Sequence, residues 1–247
     1  MVSISVVIPA KNEAGNIEKL LDGIDGALTA DGQDYEVIVV DDGSDDETPA
    51  VVQARMTKRP RLRLIRHDRS GGQSAAVHSG VLAARGALVC TLDGDGQNPP
   101  SELPKLYAPL LAPGSDAIGL VAGQRVGRQD TLSKKLASRF ANGLRGWALR
   151  DGTRDTGCGL KAFRRDAFLR LPFFNHMHRY LPALFARDGW QIAHVDVAHQ
   201  ARGAGRSNYN NLQRGFVGAI DLLGVMWLLR RRKRAVPGEA ARPAGKE

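Results

Sequence analysis

Two carboxylates flanking a glycine, Asp93-Gly94-Asp95, are the sharpest chemical signal in this 247-residue sequence. They follow Ala87-Leu88-Val89-Cys90-Thr91-Leu92, a short apolar run of the kind that forms a buried strand. The glycine allows a tight turn between them. Paired hard oxygens suit Mg2+ or Mn2+, which keep coordination places for substrate phosphates, and Gln97 can add a neutral oxygen. Taken alone, Asp-Gly-Asp is more often a solvated turn. A second acidic cluster, Asp41-Asp42-Gly43-Ser44-Asp45-Asp46, follows the run Tyr35–Val40. A carboxylate there can accept hydrogen bonds from a base or a ribose. Equally, Ser44 or Asp45 can cap the next helix, where acids also favour the dipole. Pro9-Ala10-Lys11-Asn12-Glu13 follows a third such run, Ile4–Ile8, which the proline should end. Each segment is an ordinary turn by itself. The weight lies in three strand ends of one sheet that bear acids or amides and open on one crevice.

The elements that must position these groups alternate. Strands are expected at Ile4–Ile8, Tyr35–Val40, Leu62–Ile65 and Ala87–Leu92. Between and after them, Ile17, Leu20, Leu21, Ile24 and Leu28 recur at helical spacing, a helix of about three turns starts at Thr48, Gly71-Gly72-Gln73 opens another, and Leu103–Leu111 gives a fourth. Four β–α alternations predict a parallel sheet with helices on both faces, and open sheets of this kind bind ligands at the carboxyl ends of their strands. The second half is less regular. Strands are expected near Ala117–Val121, Gly159–Phe163 and Ile192–Val197, and helices near Leu132–Leu149 and His178–Ala186.

Composition narrows the class. Hydrophobic residues make up 43% and charged residues 25%, which excludes a collagen, a coiled-coil rod or a disordered chain. Two cysteines, Cys90 and Cys158, cannot staple a domain of this size and lack zinc-finger spacing. The opening MVSISVVIPAKNE lacks a signal-peptide pattern, so a reduced, cytoplasmic setting is expected. The net charge of +9 is uneven: residues 200–247 hold ten Lys/Arg against three Asp/Glu. With the positive charge in a tail and only 6% aromatics, a nucleic-acid module is not expected. No G-x-G-x-x-G follows the first strand, which disfavours a dinucleotide dehydrogenase. A sugar-1-phosphate nucleotidyltransferase would need a Gly-rich, Arg-containing loop there, which Pro9–Glu13 does not provide.

The segments IPAKNEAGNI, VIVVDDGSDDET, SGGQSAAVHSGVLAARG and TLDGDGQNPPSELPKL, then DTGCGLKAFRRDAF, HRYLPALFARDGW and ARGAGRSNY, resemble in order the motifs of glycosyltransferase family 2. The closer resemblance is to its dolichyl-phosphate mannosyltransferase-like, polyprenyl-phosphate branch, over about residues 3–230. It implies an α/β, GT-A-like Rossmann-type nucleotide-binding sheet. It further implies a UDP- or GDP-sugar donor, a divalent metal, inversion at the anomeric carbon and a polyprenyl-phosphate acceptor. By the same resemblance Pro9, Ala10, Glu13, Asp41 and Asp42 line the nucleoside pocket. Lys11 sits where relatives often carry an aromatic, which leaves base identity open. Asp93, Asp95 and Gln97 hold metal and diphosphate, with Gly72, Gln73 and Gly94 beside the donor. Arg125 and Arg202 are placed on the reacting phosphates, with Arg206 and Ser207 in a glycine-rich basic loop. The family pattern Arg-x-x-Gly-x-Ser-Lys-Tyr here reads Arg-Gly-Ala-Gly-Arg-Ser-Asn-Tyr, so Arg206 is expected to compensate for Asn208. Asp155 lies on the acceptor side, as a positioning group first and a general base second, because a phosphate monoester with a second pKa near 6 is already ionised at pH 7. His178-Arg179 could reach the acceptor phosphate or simply start a helix, and Cys158 reads as a packing residue. A saccharide acceptor is the nearer alternative.

The C-terminal segment reads as a separate device. Leu212, Phe216, Ile220, Leu223 and Trp227 form an apolar helix stripe, followed by Arg230-Arg231-Arg232-Lys233-Arg234. The uncharged run Leu222–Leu229 is far shorter than the ~20 residues of a spanning helix. Residues 1–211 are therefore expected to form the catalytic domain, 212–234 an interfacial or partner-docking helix, and 235–247 a disordered tail. The partners expected of that helix are an anionic membrane surface or a membrane-spanning subunit, with the protein peripheral on the inner face.

Overall fold

A computed structural model describes residues 2–126, 145–146, 148–149, 151–200, 211–231 and 235. The strands are β1 (Ile4–Ala10), β2 (Tyr35–Asp41), β3 (Leu62–Arg66), β4 (Leu88–Thr91), β5 (Ile118–Arg125), β6 (Lys161–Arg164) and β7 (Gln191–Val197). The helices are α1 (Ala14–Ala30), α2 (Thr48–Met56), α3 (Gln73–Ala83), α4 (Leu103–Leu111), α5 (Arg165–Leu169), α6 (Leu181–Arg187) and α7 (Asn211–Leu229). The expected helix at 132–149 falls mostly outside the described residues, as do Arg202, Arg206, Ser207, Asn208 and nearly all of the 235–247 tail.

One seven-stranded sheet runs in the order β3-β2-β1-β4-β6-β5-β7. The first four strands are parallel, as the alternation predicts. β6 is antiparallel to both β4 and β5, and β7 is parallel to β5. β2 and β4 flank β1 on opposite sides, so the chain reverses direction across the sheet at β1, and the crevice opens at the carboxyl ends there. β1 continues through Pro9 instead of stopping at it. Pro9 shares its side of the strand with Val7, whose carbonyl accepts from Leu92, and the β4 ladder ends at that point. No neighbouring strand therefore requires the N–H that proline lacks.

Both sheet faces are covered. Ile17, Leu20, Leu21, Ile24 and Leu28 of α1 pack with Leu106 and Tyr107 of α4 on one face. Val77 of α3, Phe168 of α5, Phe185 of α6 and Val225 of α7 pack on the other. α7 is tied down by polar contacts too: His176 Nδ1 and Asp221 Oδ2 are 2.8 Å apart, and Arg187 Nε donates to the Leu228 carbonyl at 3.1 Å. Its Leu222, Val225, Met226 and Leu229 face the domain. The opposite face carries Ile220, Leu223 and Trp227, which are 54%, 67% and 59% exposed. The described part of the expected stripe is thus the outward face of a helix that has a second apolar face for the core. No described helix is long and apolar enough to cross a membrane.

Candidate active site

The loops after β1 and β2 are stitched to each other. The Asn12 amide donates to Ser44 Oγ at 3.0 Å, and Asn12 Oδ1 accepts from the Asp45 amide at 2.9 Å. Asn12 holds φ at 57°, a left-handed conformation that Asn tolerates. The Glu13 and Ala14 amides, at the start of α1, donate to Thr48 Oγ1 and Asp46 Oδ2. Asp46 also accepts from the Thr48 amide at 2.9 Å. Neither Ser44 nor Asp45 caps α2: its N-cap position is Glu47, without a side-chain cap bond, and Asp46 takes the Thr48 amide just before it.

Asp41 and Asp42 differ in what they have left to offer. Asp42 Oδ1 accepts from His67 Nδ1 (2.7 Å) and the Gly71 amide (2.8 Å). Its Oδ2 accepts from Ser70 Oγ (2.7 Å) and the Gly72 amide (2.8 Å). Burial alone would raise its pKa, but these hydrogen bonds outweigh burial and hold it below the usual carboxylate range. Four bonds use the lone pairs of a carboxylate. Asp42 therefore anchors the 67–72 loop. Gly72 itself sits at φ 85°, where a side chain would be strained. Asp41 is fully buried. Its Oδ1 accepts from the Ser44 amide at 3.2 Å, while Oδ2 makes no hydrogen bond among the described residues and lies 3.5 Å from Arg66 Nε. Of the two acids, Asp41 keeps acceptor capacity. Lys11 is exposed, and Pro9, Ala10 and Gly94 pack together where β1 meets the loop after β4.

Asp93 lies against Gly159, on the loop that enters β6. A Cβ on Gly159 would stand 2.1 Å from Asp93 Oδ2, so only glycine leaves room for this carboxylate. Asp93 Oδ1 accepts from Gln73 Nε2 at 2.8 Å, and Asn98 Nδ2 approaches Oδ2 at 3.4 Å. Gln73 thus reaches the site through Asp93. Burial and then the negative charge of Asp95 push the Asp93 pKa up to about 6, against Lys161 and Arg125. Asp95 Oδ1 accepts from the Gln97 amide at 3.1 Å. Among the described residues, no group of three or more His, Cys, Asp or Glu forms a metal-ligand set. The pair Asp93 and Asp95 fits a divalent ion that would complete its shell with substrate oxygens: the acids are close enough to disfavour each other, and hard oxygens are what such ions take.

The opposite rim is basic. Arg125, at the end of β5, makes a two-pronged pair with Asp155: Nε to Oδ2 at 2.5 Å and Nη2 to Oδ1 at 2.9 Å. Gln124 Oε1 accepts from the Arg154 and Asp155 amides and fixes that loop. Asp155 therefore holds the Arg125 guanidinium by both prongs. Cys158 is buried, free and packed, with its thiol pKa pushed up by burial. Sequence reasoning missed Lys161. It pairs in register with Thr91 and points to the same face as Phe163 and Val89. A lysine at an inward position of a short apolar strand was the available signal. Pro9, Gln73, Thr91, Asp93, Lys161 and His178 line one cleft.

Comparison with known proteins supplies the family. The model of glycosyl transferase family 2 matches residues 5–171. The chain is 34% identical over 239 residues to dodecaprenyl-phosphate galacturonate synthase of Rhizobium johnstonii, covering 94% of this chain and 69% of that protein. It is also 34% identical over 208 residues to undecaprenyl-phosphate 4-deoxy-4-formamido-L-arabinose transferase of Photorhabdus laumondii, covering 84% and 63%. The chain spans about two thirds of the length of these curated relatives. Among solved structures, glucosyl-3-phosphoglycerate synthase from Mycobacterium tuberculosis, in complex with Mn2+, UDP and phosphoglyceric acid, superposes with a TM-score of 0.68 at 23% identity, covering 92% of this chain and 78% of that one. Mannosyl-3-phosphoglycerate synthase from Rubrobacter xylanophilus gives 0.69 at 19% identity, covering 97% and 79%. At these identities the likeness is one of fold, the GT-A fold. A family model that matches most of the chain, and relatives that align over nearly all of it, agree with the acidic strand ends: this protein belongs to glycosyltransferase family 2.

Proposed function

We propose that the protein is an inverting glycosyltransferase that moves a sugar from a nucleotide-diphosphate donor to a polyprenyl phosphate at the cytoplasmic face of a membrane. The observation that carries this reading is the half-buried Asp93 carboxylate beside Asp95, at the crevice where the first four strands end. Asp93 and Asp95 would hold a divalent cation there, which would neutralise the leaving diphosphate. Asp41 Oδ2, which makes no hydrogen bond among the described residues and lies 3.5 Å from Arg66 Nε, is proposed to accept from the base or ribose once the donor binds. Arg125, held in one orientation by Asp155, adds fixed positive charge where two phosphate-bearing substrates must meet. Arg202, Arg206 and Ser207 are proposed to wrap phosphate oxygens from the basic loop. A phosphate oxygen of the acceptor attacks the anomeric carbon as the bond to the diphosphate breaks. That nucleophile is already ionised, so no base is assigned.

The outward face of α7 suits the lipid substrate. Ile220, Leu223 and Trp227 stand exposed, followed by exposed Arg230 and Arg231. Each arginine near an anionic surface contributes about 1 kcal/mol. The proposed occupant of this face is an anionic bilayer surface. A saccharide acceptor would leave the stripe without a role, and the two relatives named above are prenyl-phosphate sugar transferases.

The test is a screen of UDP- and GDP-sugars with Mn2+ or Mg2+, with and without a short polyprenyl phosphate, using Asp95→Asn as control. Donor consumption that ignores the lipid phosphate, or survives in the control, sinks the reading. For α7, anionic liposomes should sediment the wild-type protein and leave a Leu223→Glu/Trp227→Glu variant in solution. Equal sedimentation of both would assign the stripe to a protein partner instead.

A further inference from the structure

On one wall of the Asp93 cleft stand two hydrogen-bond donors for which the transfer reading above has no use. Lys161 is 4% exposed, and its Nζ donates to the Cys158 carbonyl. An ammonium group has three donors, so two remain. No carboxylate lies within ion-pairing distance of Nζ among the described residues, although Asp93 and Asp155 act on it from further away. Burying a lysine without a direct counter-ion is unfavourable. A lysine kept merely to neutralise Asp93 would close onto it.

His178 is the second donor. Its backbone N–H donates to Ser74 Oγ at 3.2 Å, and the same hydroxyl lies 2.7 Å from His178 Nδ1. A hydroxyl that already accepts from an amide best places its own proton on Nδ1. That assignment leaves the imidazole proton on Nε2. Burial and the nearby cations Lys161 and Arg179 keep the ring neutral. Nε2 makes no hydrogen bond among the described residues, and the side chain lines the cleft.

The other polar groups of this wall are occupied. Thr91 Oγ1 donates to the Gly159 carbonyl at 2.7 Å, and Gln73 Nε2 donates to Asp93. Val77 and Leu181 complete the lining with apolar surface. The wall therefore offers a cation and a neutral N–H, and no free acceptor among these groups. Its complement is a group that only accepts. We infer that Lys161 and His178 form an oxyanion subsite beside Asp93, which takes a phosphate or carboxylate oxygen of a substrate. This rests on the glycosyltransferase reading and deepens it. Two sources share that chemistry: the phosphate of a prenyl acceptor, and the carboxylate of a uronic acid donor. Asp93 on the facing rim repels an anion until a cation covers it, so the subsite fills after metal and nucleotide.

Calorimetric titrations of the full chain, with Mg2+ and UDP or GDP present, test this. Farnesyl phosphate probes the first source. The affinity ratio of UDP-glucuronate to UDP-glucose, measured without added nucleotide, probes the second. If the acceptor phosphate sits here, Lys161→Met and His178→Gln each weaken farnesyl phosphate about tenfold or more, and Lys161→Arg restores most of the loss. If a sugar carboxylate sits here, the same variants collapse the uronate preference and leave farnesyl phosphate unchanged. Wild-type values for both probes in folded Lys161→Met and His178→Gln overturn the inference. Should Lys161→Met not fold, His178→Gln decides alone. A wild-type protein that binds neither nucleotide sugar nor farnesyl phosphate removes the transferase reading, and the subsite with it.

Discussion

Asp42 and Asp93 stand beyond β2 and β4, the two strands that flank β1, and their surroundings are opposite. Asp42 receives four hydrogen bonds from one loop, and its pKa falls. Asp93 receives one good amide bond and one long one, faces a second carboxylate, and its pKa rises to about 6. The difference separates two uses of the same side chain. A carboxylate saturated by its own protein is a structural fastener. One that is desolvated, crowded by like charge and under-bonded is kept ready for a ligand that brings positive charge. Both lie at strand ends of one crevice, so position alone does not distinguish them.

The largest effect that could break this contrast is on turnover. Asp95→Asn should lower kcat about 10²–10³-fold without lowering the melting temperature, because it relieves repulsion at Asp93. Substantial remaining activity in steady-state assays would mean that the pair does not hold the diphosphate's counter-ion. Asp42→Asn should do the reverse. It turns one acceptor oxygen into a donor facing other donors and costs about 1–3 kcal/mol in urea unfolding. Asp42 also sharpens the contrast through pH. A carboxylate whose folded pKa lies below its unfolded value of about 3.9 adds stability that is complete above that value and is lost as pH falls through the folded one. Glu36, buried but held low by Arg63, Ser5 and the Arg85 amide, acts in the same direction. Urea midpoints between pH 2 and 6 should show a limb that is shallower in Asp42→Asn. An unchanged limb would remove the fastener role.

Smaller effects belong to the basic rim. Arg125→Lys loses the fork that meets Asp155 and should cost about tenfold in kcat. Asp155→Asn should lower the rate without removing a limb of the pH–rate profile. Loss of a carboxylate-like limb would instead make Asp155 a base. Lys11→Ala should change the donor KM by about threefold or less, since an exposed lysine holds a ligand weakly.

Much of the scaffold was legible in the residues. The helical spacing from Ile17 to Leu28 returned five buried side chains, and the β-branched runs returned the four parallel strands, because burying apolar faces dictates both periods. Asp93, Asp95 and Gln97 could be named because their loop follows a buried strand directly. β6 was expected as a strand, but its antiparallel insertion between β4 and β5 was not legible, since pairing direction depends on distant partners. For the same reason Lys161 passed unnoticed: its importance comes from lying opposite Thr91 and beside His178, 17 residues on.

By itself the sequence determined which residues form strands and helices and which loops carry acids, since those follow from local period and turn chemistry. Tertiary structure decided how each acid is used. The 67–72 loop folds back onto Asp42 and saturates it, whereas Gly159 lets Asp93 lie half-buried beside Asp95. Hydrogen-bond supply and desolvation are set by neighbours far away in the chain, and those two quantities fix a carboxylate's chemistry.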